Sequence, residues 1–256
     1  MTAEPPVEWD SVLAFARALD EAGEPGHAAA ALADPLRTLD PATAGPDGDV
    51  IAAAMLYATL AKPALDRVPD AIAWARYART AAERLHGGDD PATVTATEVL
   101  ALVLARRGRF QEADELRRLL IRRHRDRGDI DAQHLAQMDL AVQWHMAGRC
   151  GEAVREATVV WQQWTTRHDP AEEASVPMVW QLATLLHACG RVGEAQAVVA
   201  AADPEHPGGS EPRAETYLEL MASIATAVLR HQRVCVHHLD HDFDRADPSV
   251  AGWRPR

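Results

Sequence analysis

The sequence predicts an all-α protein of five to six antiparallel helical hairpins, on three observations. Alanine supplies much of the 47% hydrophobic content, whereas aromatic residues make up only 5%, and alanine is the strongest helix former. The pattern G-R-x-x-E-A occurs three times, beginning at Gly108, Gly148 and Gly190, so the steps are 40 and 42 residues. Further glycines and Asp-Pro pairs punctuate the chain at similar intervals. A fixed period of this length is typical of repeat architectures.

Each copy of G-R-x-x-E-A is interpreted as the turn between two helices. Apolar residues at helical spacing precede it, as Leu100 and Leu104 do before Gly108. Glycine readily adopts the left-handed conformation that ends a helix. The alanine begins the next helix, and its small side chain permits two helices to approach closely. Each hairpin then has an apolar stripe that only neighbouring hairpins can bury.

The hairpins outside these three copies follow the pattern less closely. Ala71 and Ala28 fall at the alanine position of the second and first hairpins. The second hairpin has no glycine at its turn, and Pro63 and Pro69 interrupt it, so its first helix is expected to end early. Asp-Pro pairs close the units, because proline fits a first helical turn and disfavours helix in the preceding residue. The pairs interpreted as closing a unit are Asp40-Pro41, Asp90-Pro91, Asp169-Pro170, Asp203-Pro204 and Asp247-Pro248.

The segment Leu85–Asp131 resembles the tetratricopeptide repeat (TPR) family in its long, kinesin-light-chain-like form of ~42 residues. The loop Gly87–Thr93 and the turn G-R-F-Q-E-A carry this resemblance, which extends over roughly residues 10–240. It implies one right-handed α-solenoid over residues 1–256, whose first helices line a concave groove that binds extended peptides or helices. The implied repeats are about 10–40, 49–88, 92–128, 130–168 and 172–203, with C-terminal capping helices at 211–244.

The resemblance also implies which residues face the groove. Trp180 is the preferred anchor for a partner, since exposed tryptophan is enriched at binding hot spots; the alternative is packing against a neighbouring repeat. The groove residues are Arg17, Glu98, Leu102, Arg106, Asp139, Val142, His145, Trp180, Gln181, Thr184 and His187. A wider set adds Leu13, Asp20, Glu21, Val99, Ala105, Met138, Met146, Ala188, Ser223, Thr226 and Arg230.

The content of asparagine and lysine restricts the class of partner that the groove can bind. Chaperone-binding members of the family hold a C-terminal carboxylate with Lys and Asn side chains, and other members grip peptide backbone with a ladder of Asn. This chain has no Asn and a single lysine, Lys62. Gln137, Gln143 and Gln181 can replace an amide only locally. The sequence therefore favours a partner held through apolar and arginine contacts.

Composition excludes several function classes. The net charge of −12 argues against general binding to nucleic acids or anionic membranes. The longest nearly apolar run, Val50–Ala61, is too short to span a bilayer. The acidic start and three widely spaced cysteines are typical of a reduced cytoplasmic protein, and the excess of Arg over Lys indicates a GC-rich, bacterial genome. No catalytic or cofactor-binding motif is present.

The sequence thus predicts a non-enzymatic scaffold that binds a peptide or protein partner without a cofactor. A regulatory sensor for a signalling peptide or small molecule is the main alternative, and the exposed edge hairpins of a solenoid are compatible with a homodimer. A lesser alternative is a metal-binding protein that uses the His-rich C-terminus, where a polar capping helix is the simpler interpretation. That segment contains His231, Cys235, His237, His238 and His241.

Three smaller features have a structural and a functional interpretation. The arginines of residues 117–127 are expected to form a solvated face rather than an interface for an acidic partner. Trp144, Trp161 and Trp164 are expected to pack in the core or between helices. The cysteines, at or near hairpin turns, are expected to pack as small side chains rather than act as a redox switch.

Overall fold

The computed structural model describes residues 7–61 and 70–202, and all the regular structure there is helical. These residues form ten α-helices and one short 3-10 helix, Glu173–Ser175. The prediction of an all-α fold is confirmed. The helices are α1 Trp9–Glu21, α2 Pro25–Leu36, α3 Gly48–Leu60, α4 Ala71–His86, α5 Pro91–Arg106, α6 Phe110–Arg127, α7 Ile130–Met146, α8 Cys150–Trp164, α9 Val176–Ala188 and α10 Val192–Ala201.

The chain forms two compact units, one ending at Leu120 and one beginning at Ile121. Within the first unit, α1 packs on α2 and α3 on α4, while α3 also contacts α1 and α5. Within the second unit, α7 packs on α8 and α9 on α10, and α7 also contacts α9. Consecutive helices therefore pair, and alternate helices lie side by side. The division of residues 1–256 into the repeats given above stays a prediction.

The glycine of each G-R-x-x-E-A copy ends a helix, as predicted. The φ angles of Gly108, Gly148 and Gly190 are 72°, 82° and 79°, in the left-handed region. In all three turns the N–H of the next residue donates to the carbonyl five residues earlier, at 2.8 to 2.9 Å. This is the bond that closes a Schellman motif, and it satisfies a carbonyl that the helix end leaves open.

The arginine and glutamate of the pattern have a role that the sequence did not reveal. Arg149 donates two hydrogen bonds to Glu152, at 2.9 and 2.6 Å. Arg191 and Glu194 repeat this fork at 2.6 and 2.7 Å, and Arg109 pairs with Glu112 in the third copy. The glutamate lies in the first turn of the second helix, where the helix dipole favours a negative charge.

The aspartates of the Asp-Pro pairs hold the chain where the next segment begins. Asp90 accepts from the backbone N–H of Ala92 at 2.8 Å and caps α5. Asp40 and Asp169 accept in the same way from the second residue after them, at 2.9 and 2.8 Å. Asp203-Pro204, Asp247-Pro248 and residues 62–69, with Pro63 and Pro69, lie outside the described residues.

The three tryptophans Trp144, Trp161 and Trp164 pack as expected. Trp161 and Trp164 are buried in the core of the second unit, and Trp144 packs against that core while the Arg149 guanidinium covers its ring at 4.5 Å.

The arginines of α6 are not all on a solvated face. The expectation that they form such a face is wrong for Arg117, which is 7% exposed. Its helical position turns it inward, whereas Arg118 is exposed and pairs with Asp114 at 2.8 Å.

A polar cluster covers the end of α8. His168 stacks on the ring of Trp164 with 4.2 Å between centroids, and its Nε2 lies 3.1 Å from Asp131 Oδ1. The Asp131 carboxylate raises the pKa of His168, and the imidazole in turn lowers the pKa of Asp131. Both ions are therefore favoured in the folded state.

This pair predicts a pH-dependent effect of Asp131→Asn. Folding raises the pKa of His168 above its ordinary 6.5, so the stabilisation is full below pH 6.5 and is lost as the pH rises through the folded pKa. We expect the variant to lower the unfolding free energy by about 0.5–1 kcal/mol at pH 5.5 and by less at pH 9. Urea unfolding at both pH values measures the difference.

The matched control is Asp114→Asn, because its partner Arg118 is an arginine, a residue type that carries a permanent charge. Its effect should therefore be the same at pH 5.5 and at pH 9. An Asp131→Asn effect that is equally independent of pH would show that His168 carries no charge linked to folding.

Candidate functional site

The predicted groove residues all lie on first helices of the pairs: Arg17 on α1, three on α5, three on α7 and four on α9. None of them is buried. Those with exposed side chains are Arg17, Arg106, Trp180 and Thr184, and those with half-buried side chains are Glu98, Leu102, Asp139, Val142, His145, Gln181 and His187. Their position in one continuous groove stays a prediction.

Three members of the wider set are wrong as groove residues. Leu13, Ala105 and Met138 are buried. Met138 shows the reason, because it belongs to the core cluster that α7 shares with α8, α9 and α10 and its side chain is therefore directed into that core. Ser223, Thr226 and Arg230 lie outside the described residues, as does the His-rich segment with Cys235.

In the second unit the structure brings two sets of predicted residues together. Gln181 Nε2 of α9 donates to Asp139 Oδ1 of α7 at 2.9 Å, across 42 residues of sequence. Residues three and four apart share a face of a helix, so the other predicted residues of each helix continue this joined surface. We call it the α7/α9 face: Asp139, Val142, His145, Trp180, Gln181, Thr184 and His187.

The α7/α9 face combines an exposed aromatic ring with polar groups. The Trp180 side chain is 39% exposed, which is unusual for so large an apolar group. Burial lowers the pKa of His187, so its imidazole is neutral at pH 7 and offers one donor and one acceptor nitrogen. None of the seven residues is Lys or Arg. The face can therefore contact an apolar side chain and hydrogen-bond its surroundings, but it supplies no permanent cation.

In the first unit, Arg106 is exposed but also makes a hydrogen bond within the protein. Its Nη1 donates to the carbonyl of Thr59 at 2.7 Å. Thr59 lies in the last turn of α3, where carbonyls have no partner within the helix. Substitution of Arg106 would thus disturb the end of α3 as well as any partner contact, which makes Trp180 the cleaner residue to test.

Two clefts beside α4 were not expected from the sequence. One has a volume of about 340 Å³ and is lined by Arg76, Tyr77 and Arg84, among others. The other, of about 310 Å³, lies between Arg76, Leu104 and Glu112. Arg76 pairs with Glu112 at 2.8 Å, so the guanidinium at their boundary is already neutralised.

Three side chains of metal-ligand type converge at the end of α7. His145, Cys150 and Cys189 have donor atoms that all lie within 4.8 Å of one another. Across the described ranges, no other group of three His, Cys, Asp or Glu residues meets this criterion. The sequence placed both cysteines near turns but gave no direct sign that they meet; the only signal is the 44-residue spacing of His145 and Cys189, close to one repeat.

Comparison with known proteins identifies the fold. No family model and no curated protein matches the chain. A crystal structure of nearly identical TPR-like repeats from Podosopora anserina, described as a putative kinesin light chain, is 18% identical with a TM-score of 0.56, and the match covers 86% of this chain and 98% of that one. A second crystal structure, of a single-substitution variant of that protein, gives 17% identity and a TM-score of 0.56, with coverage of 87% and 96%.

At this identity the likeness shows the fold and nothing finer. In the part of the chain that the structure describes, no helix combines the length and hydropathy needed to cross a bilayer. The helix order, the glycine-terminated hairpins and these structural neighbours together identify a TPR-like helical repeat fold, consistent with an α-solenoid.

Proposed function

We propose that this chain is a non-enzymatic scaffold that binds a segment of a protein partner on the exposed faces of its first helices. The contact that anchors the partner is made by the α7/α9 face. The observation that carries the proposal is the exposed ring of Trp180 beside the hydrogen bond between Gln181 and Asp139.

Trp180 has the properties of a hot-spot residue. Tryptophan buries a large area at a low cost in side-chain entropy, and truncating such an anchor accounts for much of the affinity in many interfaces. The hydrogen bond at 2.9 Å fixes the polar groups beside it before a partner arrives. A surface that is already ordered loses less free energy on binding than one that must be ordered.

The composition of the face also indicates which part of a partner it binds. A free C-terminus would need a cation or several amide donors, and the seven residues include neither Lys nor Arg and only one amide, Gln181. An internal segment needs only an apolar side chain against Trp180 and hydrogen-bonding groups near Gln181 and Thr184. The face therefore favours an internal segment with an apolar anchor.

The test begins with identification of the partner by affinity purification from the native host and mass spectrometry. Calorimetry with the purified partner then compares the wild type with Trp180→Ala. We expect the variant to bind at least about tenfold more weakly, because it removes the anchor, which corresponds to about 1.4 kcal/mol. Far-UV circular dichroism should be unchanged, since Trp180 is exposed.

The matched control is Val159→Ala. Val159 is an exposed apolar residue of the same unit, 47% accessible, but it lies on the second helix α8. Its affinity should equal that of the wild type. If Trp180→Ala binds as tightly as the wild type while Val159→Ala binds weakly, the partner occupies the other side of the hairpins and the proposal is wrong.

A further inference from the structure

Two thiols and an imidazole, from α7, from α8 and from the residue after α9, meet at one point of the second unit. His145 lies in the last turn of α7, Cys150 is the first residue of α8, and Cys189 directly follows α9. His145 Nδ1 is 3.3 Å from Cys150 Sγ and 3.5 Å from Cys189 Sγ. Both cysteines are buried thiols and His145 is half-buried, so the cluster reaches the surface through the imidazole.

These distances match the edges of a metal tetrahedron. Zinc binds cysteine sulfur at about 2.3 Å and histidine nitrogen at about 2.0–2.1 Å in tetrahedral geometry. Those bond lengths place a bound nitrogen and sulfur about 3.6 Å apart, and two bound sulfurs about 3.8 Å apart. The two nitrogen–sulfur distances in the structure are within 0.3 Å of the first value, and the sulfur–sulfur distance is below 4.8 Å.

We propose that His145, Cys150 and Cys189 bind one zinc(II) ion, with a water molecule as the fourth ligand. Thiolate and imidazole ligands bind zinc in preference to magnesium or calcium. The two thiols each release a proton when the ion binds, which offsets the charge of the metal. Because the three ligands come from α7, α8 and the end of α9, the ion joins two consecutive hairpins at their turns and stabilises the folded state.

The arrangement favours a metal over a disulfide between the two cysteines. A disulfide requires the two sulfurs to be bonded at about 2.05 Å. It would not explain why the His145 imidazole lies beside both sulfurs. In the structure both sulfurs approach the same nitrogen of His145. Convergence of three donor atoms on one point is what a metal ion needs.

The experiment uses the full chain without a histidine tag, reduced and stripped with a chelator. Titration with cobalt(II) should produce thiolate-to-cobalt charge-transfer absorption that saturates at one equivalent, and zinc(II) should abolish it by displacement. Zinc should also raise the melting temperature, because the ion binds the folded state. Cys189→Ser and His145→Gln should each lose the charge-transfer band or weaken cobalt binding at least about tenfold.

Matched controls separate this site from other ligands. Cys235→Ser and His86→Gln should retain the wild-type band and its stoichiometry, because the proposed site takes its protein ligands from His145, Cys150 and Cys189 alone. His145→Gln changes a half-buried side chain, so it keeps the test valid even if Cys189→Ser fails to fold. Trp180→Ala should bind cobalt normally, which distinguishes failure of this proposal from failure of the proposed function.

Three results would overturn the proposal. The first is a reduced wild-type chain that gives no thiolate band. The second is a band that persists in both Cys189→Ser and His145→Gln, or that disappears in Cys235→Ser. The third is a wild type that forms a Cys150–Cys189 disulfide on air exposure and binds no zinc in either oxidation state.

Discussion

Trp164→Ala should lower the unfolding free energy of the second unit by about 3–5 kcal/mol, the range for deletion of a large aromatic side chain from a core. Trp164 is the last residue of α8 and only 2% exposed. Its ring stacks on His168 with 4.2 Å between centroids and meets His134 edge-on at 6.3 Å. Alanine would leave a cavity that these neighbours cannot fill without moving the helix end.

Part of the effect comes from a hydrogen bond that links α8 to the segment before α9. Trp164 Nε1 donates to Ser175 Oγ at 2.8 Å, and that hydroxyl donates to the Asp169 carbonyl at 2.7 Å. Ser175 is fully buried. Without the indole, its hydroxyl oxygen loses a donor in a site that water does not reach, and this adds to the cost of the cavity.

Urea unfolding followed by circular dichroism measures the total loss of unfolding free energy. Two further variants separate the contribution of the hydrogen bond from that of the cavity. Trp164→Phe keeps most of the ring and should cost about 1–2 kcal/mol through the lost hydrogen bond. Val159→Ala, at an exposed site on the same helix, should change stability by less than about 0.5 kcal/mol. If Trp164→Ala were no worse than Val159→Ala, the end of α8 would not be packed as the structure has it.

The hairpin turns could be predicted from the sequence because their requirements are local. A left-handed residue at a helix end favours glycine, and a close helix contact favours alanine, so a recurring Gly and Ala locate turn and contact together. The structure confirms both, with positive φ at Gly148 and Gly190 and complete burial of Ala153 and Ala195. The sequence pattern contained the recurring Arg and Glu, but it did not predict that their side chains form an ion pair.

The side chains that each helix buries could be predicted less well. A shift of one residue rotates a side chain by about 100° around the helix, so a groove position transferred from a family register is sensitive to a small offset. Met138 and Asp139 illustrate this, since the first is fully buried and the second belongs to the α7/α9 face. Arg117, inward on α6, shows the same limit for charged residues.

The Cys–His cluster could not be predicted from local sequence at all. Cys150 and Cys189 occupy different positions relative to their turns, one after and one before the glycine. Their meeting depends on how α9 lies against α7 and on the direction of each side chain. Only the pairing of alternate helices, one repeat apart, brings such residues within contact distance, as it does for Asp139 and Gln181.

Ala153→Leu should destabilise the second unit by about 2–3 kcal/mol, near the upper end for overpacking a core. Ala153 closes the second copy of the G-R-x-x-E-A pattern and is fully inaccessible. Ala141 of α7 and Ala157, one turn further along α8, belong to the same core cluster and are equally buried. The larger leucine side chain at this position would force α7 and α8 apart, because an alanine neighbour has no flexible side chain that could move aside.

The same substitution at an exposed alanine distinguishes crowding from a general effect of leucine. Ala30 of α2 is exposed, and leucine is nearly as good a helix former as alanine, so Ala30→Leu should change stability by less than about 0.5 kcal/mol. Urea midpoints of the two variants give the comparison directly. If Ala153→Leu unfolded at the same urea concentration as Ala30→Leu, the alanine of the pattern would not mark a close helix contact, and the physical reason for its recurrence along the chain would be lost.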